Sequence, residues 1–419
     1  MSDQQIHCVM TFDHPVVEDR IARAARLTLD AEPILSCRFV ERPWRPYWER
    51  RDDPDHIEPC RLVQATDTNR EVVHFLTTPI DPLDSPQVRL LLVRSHVDTL
   101  CIKMNHMVAD AGGTVEYAYL LAGIYRALTE DPKYTPMPNL KGSRSLSQIS
   151  RRFGIVDKVR ILRRFRHEVA NWSRSRSWGH WDFPTDQGDD GSYTVVVRRL
   201  GPERFRTIKE YGRQHRATVN DIMVATYYRA LCDLIDPPPG VPLGLSTTVD
   251  LRRYLPSRRG AAICNLPGSA SVHISRDLNA PFEDTVGRIR DEMDAQKADY
   301  FGLWGLPFYV LQFKGRPFKV MRNFYDRVYD RMTREGNIEP FFTNLGVIDK
   351  HELVFGDAEV TDAYLTAPIY YPPRFSVALS GFDESIALSF GVCPEAIAPS
   401  VVEAFFDRME SELPGSRSA

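Results

Sequence analysis

Residues 105–113, Asn-His-Met-Val-Ala-Asp-Ala-Gly-Gly, place a histidine and a carboxylate four positions apart at a glycine turn. Histidine accepts and returns a proton near neutral pH, because its unperturbed pKa is about 6.5. His106 is therefore a candidate general base for an alcohol, amine or thiol nucleophile. Two roles remain open for Asp110: it helps to orient the imidazole, or it pairs with an arginine and holds the turn in shape.

The elements around this segment predict a strand-to-helix corner. Residues 99–104 have the pattern of a strand, and period-2 alternation places His106 on the same face as its apolar side chains. After the glycines, Thr114 is predicted to cap a helix that continues to about Leu128. The histidine and the carboxylate are thus expected on a firmly positioned turn.

The same segment resembles the His-His-x-x-x-Asp-Gly signature of the condensation-domain and CoA-dependent acyltransferase superfamily. His106 and Asp110 match the second histidine and the aspartate of that signature. Asn105 stands at the position of its first histidine. Ala111 stands at the position of its glycine, and Gly112 follows one place later.

Three further segments are similar to this superfamily and occur in its order. Residues 218–225 resemble the start of the helix that opens the second lobe. Residues 246–253 resemble a strand that ends in aspartate-x-arginine, and Asn265 matches the asparagine that soon follows. Residues 342–346 resemble the asparagine-leucine-glycine loop that reaches from one lobe to the other. The resemblance therefore extends over most of the chain.

The resemblance implies an α/β (α+β) fold of two chloramphenicol-acetyltransferase-like lobes, each a mixed sheet packed with helices, with a tunnel between them. The length of 419 residues also favours two lobes. Residues 1–140 are expected to form the N-terminal lobe and residues 141–190 a basic connector. Residues 191–419 are expected to form the C-terminal lobe, with the crossing loop near 340–350.

The resemblance also implies acyl transfer. The donor would be an acyl thioester, carried by acyl-CoA or by the phosphopantetheine of a carrier protein acting in trans, and it would be a co-substrate and not a tightly bound cofactor. A small-molecule acceptor with a hydroxyl or amine, activated by His106, would give an ester or amide. Asp110 would pair with Arg252, with Arg253 as the competing partner. Four other residues are expected to help position substrate: Asn105, Gly112, Asn265 and Asn344.

The sequence also bears on functions other than acyl transfer, namely partner recruitment, metal binding and other enzyme chemistries. The departures at Asn105 and Ala111 leave open a catalytically inactive condensation-like domain that recruits a carrier protein or another partner. A metal site would need a third ligand, for which His96 is the weak candidate nearby. The sequence has neither a Gly-x-Ser-x-Gly elbow nor a glycine-rich phosphate loop, which argues against hydrolase, kinase and dehydrogenase chemistry.

The amino-acid composition bears on whether the protein binds nucleic acid and on the compartment in which it is found. The chain is 43% hydrophobic and 26% charged, as is ordinary for a globular enzyme, and its net charge of -3 gives no case for nucleic acid binding. Seven scattered cysteines and an N-terminus without an apolar run predict a cytoplasmic protein without a signal peptide.

The connector has a distinct charge pattern. Residues 141–176 contain eleven Lys or Arg residues against two carboxylates. Four apolar residues recur there at helical spacing, namely Ile155, Val159, Leu162 and Val169. Such a helix packs on its own lobe, contacts an acidic carrier, or makes peripheral membrane contact through residues 151–170, and the sequence leaves these alternatives open.

Overall fold

The structure, a computed structural model, describes residues 3–83, 86–174, 181, 183, 191–307, 315–335, 338–370 and 374–415. The strands are β1 Gln5–Phe12, β2 Cys37–Val40, β3 Tyr47–Arg50, β4 Cys60–Gln64, β5 Val88–Arg94, β6 Asp98–Asn105, β7 Thr194–Leu200, β8 Pro242–Asp250, β9 Pro267–Ser275, β10 Phe341–Ile348, β11 Val354–Phe355, β12 Ala358–Thr366, β13 Ser376–Phe382 and β14 Ser385–Val392. The helices are α1 Glu18–Ala31, α2 Thr68–Thr77, α3 Ala111–Glu130, α4 Ser147–Ser150, α5 Ile155–Arg174, α6 Pro202–His215, α7 Val219–Ile235, α8 Phe282–Lys297, α9 Phe318–Glu335 and α10 Pro399–Glu412.

The first lobe is built on a six-stranded sheet with the order β11-β12-β1-β6-β5-β4. β1 is paired on both sides, antiparallel to β12 and to β6, so that Val9 lies opposite Tyr364 and Cys101. Leu100, Ile102 and Met104 of β6 join a core with the buried residues of α1 and α3. The predicted strand at 99–104 is therefore confirmed, and it ends one residue before His106.

The second lobe is built on a six-stranded sheet with the order β7-β14-β13-β10-β8-β9. β10 runs parallel to both of its neighbours, β13 and β8, while the other pairs are antiparallel. Its core joins residues of this sheet to α7, α8 and α10 and includes Phe342, Phe375 and Phe406. The mixed α/β class and the two lobes are as predicted.

The chain crosses between the lobes later than predicted. Residues 341–348 form β10 of the second sheet, and the following strands β11 and β12 belong to the first sheet. The predicted lobe at 191–419 is thus wrong for residues 354–366. The physical reason is the pairing of β12 with β1, which satisfies the backbone groups along the second side of β1. β13 then returns the chain to the second sheet.

The connector contains the two helices α4 and α5, and both pack on the second lobe. Ile149 and Ile161 are buried in its core. α5 is the predicted amphipathic helix, but the predicted apolar stripe does not pack on the lobe. The parts of the connector at 175–180, 182 and 184–190 lie outside the described residues. Across the ranges given above, no helix is long and apolar enough to cross a membrane.

Candidate active site

The turn after β6 is held to the neighbouring strands by hydrogen bonds. The backbone N–H of His106 donates to the carbonyl of Gln4, at 2.7 Å. The buried side chain of Asn105 donates through Nδ2 to Gln87 Oε1 at 2.7 Å and accepts the Met107 N–H at 2.9 Å. Both ends of the Asn105 amide are engaged within the protein. These hydrogen bonds show that Asn105 shapes the turn that carries His106, and its role in positioning substrate stays a prediction.

The ring of His106 is oriented by the turn itself. Its Nδ1 lies 3.0 Å from the carbonyl oxygen of Ala109. A carbonyl can only accept a hydrogen bond, so this contact assigns the proton of the neutral imidazole to Nδ1. The lone pair then lies on Nε2, and the ring is half-buried. An imidazole held in this tautomer can take a proton from a nucleophile.

Asp110 begins helix α3. Its Oδ1 accepts the backbone N–H of Gly113 at 2.8 Å, so the helix starts at Ala111. Thr114, the predicted cap, lies inside the first turn, and its hydroxyl donates to the Asp110 carbonyl at 3.0 Å. The prediction placed the cap wrongly because glycines after a strand usually indicate a turn, whereas here they are helical. Oδ2 of Asp110 accepts the N–H of Leu266 from the second lobe at 2.7 Å.

Arg252, from the second lobe, binds residues of both lobes next to the turn that carries His106. Its side chain is only 3% exposed, and its Nη1 lies 2.8 Å from Asp110 Oδ1. Nη2 donates to the Cys264 carbonyl at 2.8 Å, and Nε donates to Glu116 Oε1 at 3.1 Å. Burial by itself lowers the pKa of Arg252, but Asp110 and Glu116 more than offset it, so the pKa is raised. The guanidinium therefore stays charged, and each of its three nitrogens is hydrogen-bonded.

Arg253, the competing candidate for pairing with Asp110, contacts a different part of the second lobe. It is exposed, and its guanidinium lies 5.1 Å from the ring centre of Phe301. Arg252, and not Arg253, is the ion-pair partner of Asp110.

Glu116 was missed by the sequence analysis. It lies on α3, binds Arg252, and accepts the N–H of Gly260 at 2.7 Å. Burial raises the pKa of its carboxyl, and Arg252 partly opposes that rise. Glu116 also lines a cleft of about 640 Å³ between α3, residues 259–263 and residues 351–354. No spacing signal in the superfamily motif points to this residue, so only the folded arrangement reveals it.

The two glycines of the motif allow the close approach of the lobes. A Cβ on Gly112 would lie 2.7 Å from Arg252 Nη1, and a Cβ on Gly113 would lie 2.8 Å from the Cys264 carbonyl oxygen. Gly112 therefore packs against the arginine, and its role in positioning substrate stays a prediction.

Gly113→Ala is expected to destabilise the protein by about 1 to 3 kcal/mol, because the added methyl overlaps backbone that cannot easily move. Gly123→Ala is the matched control in the same helix, since among the described residues no atom beyond the adjacent backbone of the helix lies within 4 Å of its added Cβ. The control is expected to gain about 0.5 to 1 kcal/mol from helix propensity. Urea unfolding measures both; equal stabilities of the two variants would contradict the close packing at Gly113.

Asn265 brings a second-lobe side chain to the histidine. Its Nδ2 donates to the carbonyl of His106, which fixes the orientation of the amide. Its Oδ1 is buried and has no hydrogen-bond partner among the residues that the structure describes. Asn344, by contrast, is exposed on β10, where its Nδ2 donates to Asn220 Oδ1 at 3.2 Å. The structure thus joins Asn265 to the site through His106 and joins Asn344 to the start of α7.

Within the ranges that the structure describes, no three His, Cys, Asp or Glu side chains are grouped so as to hold a metal ion. The charged cluster at the site consists of Arg252 and its carboxylates Asp110, Glu116 and Asp250.

Solved structures share this two-lobed arrangement over almost the whole chain. The first condensation domain of the calcium-dependent antibiotic synthetase, in complex with a substrate analogue, is 16% identical with a TM-score of 0.70, covering 100% of this chain and 93% of its own. The chain has the fold of the condensation-domain and chloramphenicol-acetyltransferase-like superfamily. Two further structures share this fold.

Trichothecene 15-O-acetyltransferase from Fusarium sporotrichioides is 12% identical with a TM-score of 0.73, covering 98% of this chain and 90% of that one. Polyketide synthase associated protein 5 from Mycobacterium tuberculosis is 16% identical with a TM-score of 0.67, covering 99% and 94%. No family model and no curated protein matches the sequence. The likeness at these identities is one of fold.

Proposed function

We propose that this protein is an acyltransferase that moves an acyl group from a thioester to a hydroxyl or amine acceptor, with His106 as general base. The contact between His106 Nδ1 and the Ala109 carbonyl carries the proposal, because it leaves the Nε2 lone pair as the proton acceptor. The condensation domains and the acetyltransferase among the solved structures of this fold support the reaction class.

In the proposed reaction one proton moves from the acceptor to His106 and then from His106 to the leaving thiolate. Nε2 of His106 takes the proton of the acceptor O–H or N–H as that atom attacks the thioester carbonyl. The tetrahedral intermediate then collapses, the C–S bond breaks, and the leaving thiolate receives the proton from the imidazolium. A new ester or amide bond replaces the thioester, so atoms and charge balance. Asp110 and Arg252 act as positioning residues that hold the turn in shape.

Asn265 is proposed to help position substrate by holding the turn that carries His106, through the hydrogen bond from its Nδ2 to the His106 carbonyl. Asn265→Ala is expected to lower kcat/KM by about 10- to 100-fold, because the support of the His106 carbonyl is lost. Asn344 is the other asparagine that the resemblance places near substrate, and Asn344→Ala serves as the control: because the structure bonds its amide to Asn220, this variant is expected to retain wild-type kcat/KM. Steady-state kinetics of both variants decide the matter; a larger loss in the control would reverse the assignment.

The donor class is testable with the wild-type protein. Acyl-CoAs and acyl-loaded carrier proteins are each incubated with a panel of alcohols and amines, and release of free thiol is followed. Acceptor-dependent thiol release from either donor supports acyl transfer and names the donor. Tight binding of a carrier with no thiol release from any donor would favour the recruitment function instead.

A further inference from the structure

Helix α5 presents an apolar stripe to solvent. Ile155 is 83% exposed, and Val159, Leu162 and Val169 are each 44% exposed. At 3.6 residues per turn these four side chains fall within an arc of about 80°. A soluble surface helix normally turns such a stripe inward, so this orientation is unusual.

The opposite face of α5 already holds the helix to the second lobe. Ile161 is buried in the core, and Asp157 accepts the hydroxyl of Tyr300 at 2.6 Å. Arg164 and Glu168 pair with each other at 2.7 Å, one turn apart. Both carboxylates of α5 are therefore engaged, and the exposed stripe is not needed to attach the helix.

Cations flank the stripe on both sides. On the helical wheel Lys158 lies along one edge, Arg163 lies along the other, and Arg166 lies within the arc. Arg151, Arg152 and Arg160 are exposed nearby. Aliphatic residues beside Lys and Arg match the boundary between acyl chains and anionic headgroups, with the long basic side chains reaching the phosphates.

We propose that α5 is an interfacial helix that docks the protein on anionic lipid bilayers, with Ile155, Val159, Leu162 and Val169 inserted at the headgroup level. The exposed aliphatic stripe together with its flanking cations favours a lipid surface over an acidic protein, because a contact made by charge alone would leave the stripe exposed to water. Docking leaves the chemistry at His106 untouched, so this inference stands or falls separately from the proposed function.

The test is co-sedimentation of the full chain with vesicles of phosphatidylcholine alone or of phosphatidylcholine and phosphatidylglycerol in equal amounts. Wild type is expected to bind the anionic vesicles and to be weakened by salt, which screens the cations. Removing one cation lowers binding about fivefold, so K158Q/R163Q/R166Q is expected to lose about a hundredfold. I155Q/L162Q is expected to bind the anionic vesicles at least about tenfold more weakly, because less apolar surface is inserted into the bilayer.

The matched control is R23Q/R70Q/R213Q, which removes three exposed arginines from other elements and changes the net charge equally. It is expected to bind anionic vesicles within about fivefold of wild type, and circular dichroism checks that every variant is folded. Equal binding to neutral and anionic vesicles would overturn the proposal. So would equal losses in the α5 and control variants, or α5-dependent binding of an acidic carrier protein without binding to vesicles.

Discussion

Replacing His106 by alanine is expected to lower kcat by about 10² to 10⁴ while leaving the free energy of unfolding nearly unchanged. The ring is half-buried and makes its intramolecular hydrogen bond through Nδ1 to the carbonyl of Ala109. Its backbone N–H, which ties the turn to β1, survives the substitution. Initial rates at saturating donor and acceptor measure the loss, and urea unfolding measures the stability.

His96→Ala is the control for the His106 substitution. His96 is exposed in the turn between β5 and β6 and is the histidine that a metal site would have needed nearby. Its loss is expected to leave kcat at the wild-type value. A His106 variant with full activity, or one that is inactive only because it unfolds, would contradict the role of His106 as a base.

Replacing Arg252 by methionine is expected to destabilise the protein by about 3 to 5 kcal/mol and to abolish activity with it. The buried guanidinium is the shared partner of Asp110 and Glu116, which come from the first lobe. Without it both largely buried carboxylates lack their counter-charge. Thermal unfolding followed by circular dichroism measures the effect.

Arg253→Met, one residue along, is the matched control and is expected to stay within about 0.5 kcal/mol of wild type, because its guanidinium is exposed. The double variant D110N/R252M adds a second check. An asparagine still caps α3, and the double variant is expected to be more stable than the sum of the two single losses predicts. Additive losses would show that Asp110 and Arg252 are not coupled.

The strand-to-helix corner was largely predictable because its signals are local. Alternation gave the strand before His106, and the spacing of His106 and Asp110 marked the turn. The start of α3 was not predictable in the same way. Positions 112 and 113 in the first helical turn need glycine because Arg252 and the Cys264 carbonyl, far away in sequence, leave no room for side chains.

The point at which the chain crosses between the lobes was not predictable, because the alternation of residues in β12 does not show which strand it pairs with. β12 has the pattern of any half-buried strand, and its pairing with β1 joins residues as far apart in sequence as His7 and Thr366. The sequence left the orientation of α5 open for a related reason. Helical periodicity identified its four apolar residues, but only the burial of Ile161 shows which face meets the lobe. Local pattern predicts an element more reliably than it predicts what that element packs against.

General-base catalysis by His106 is tested by product mass spectrometry of wild type and His106→Ala, with the donor that releases thiol and its acceptor. Wild type is expected to form one ester or amide for each thioester consumed, and the variant is expected to form product at no more than about a hundredth of that rate. Equal product from both proteins would contradict general-base catalysis by His106. A carrier bound by both, with product from neither, would replace catalysis with recruitment.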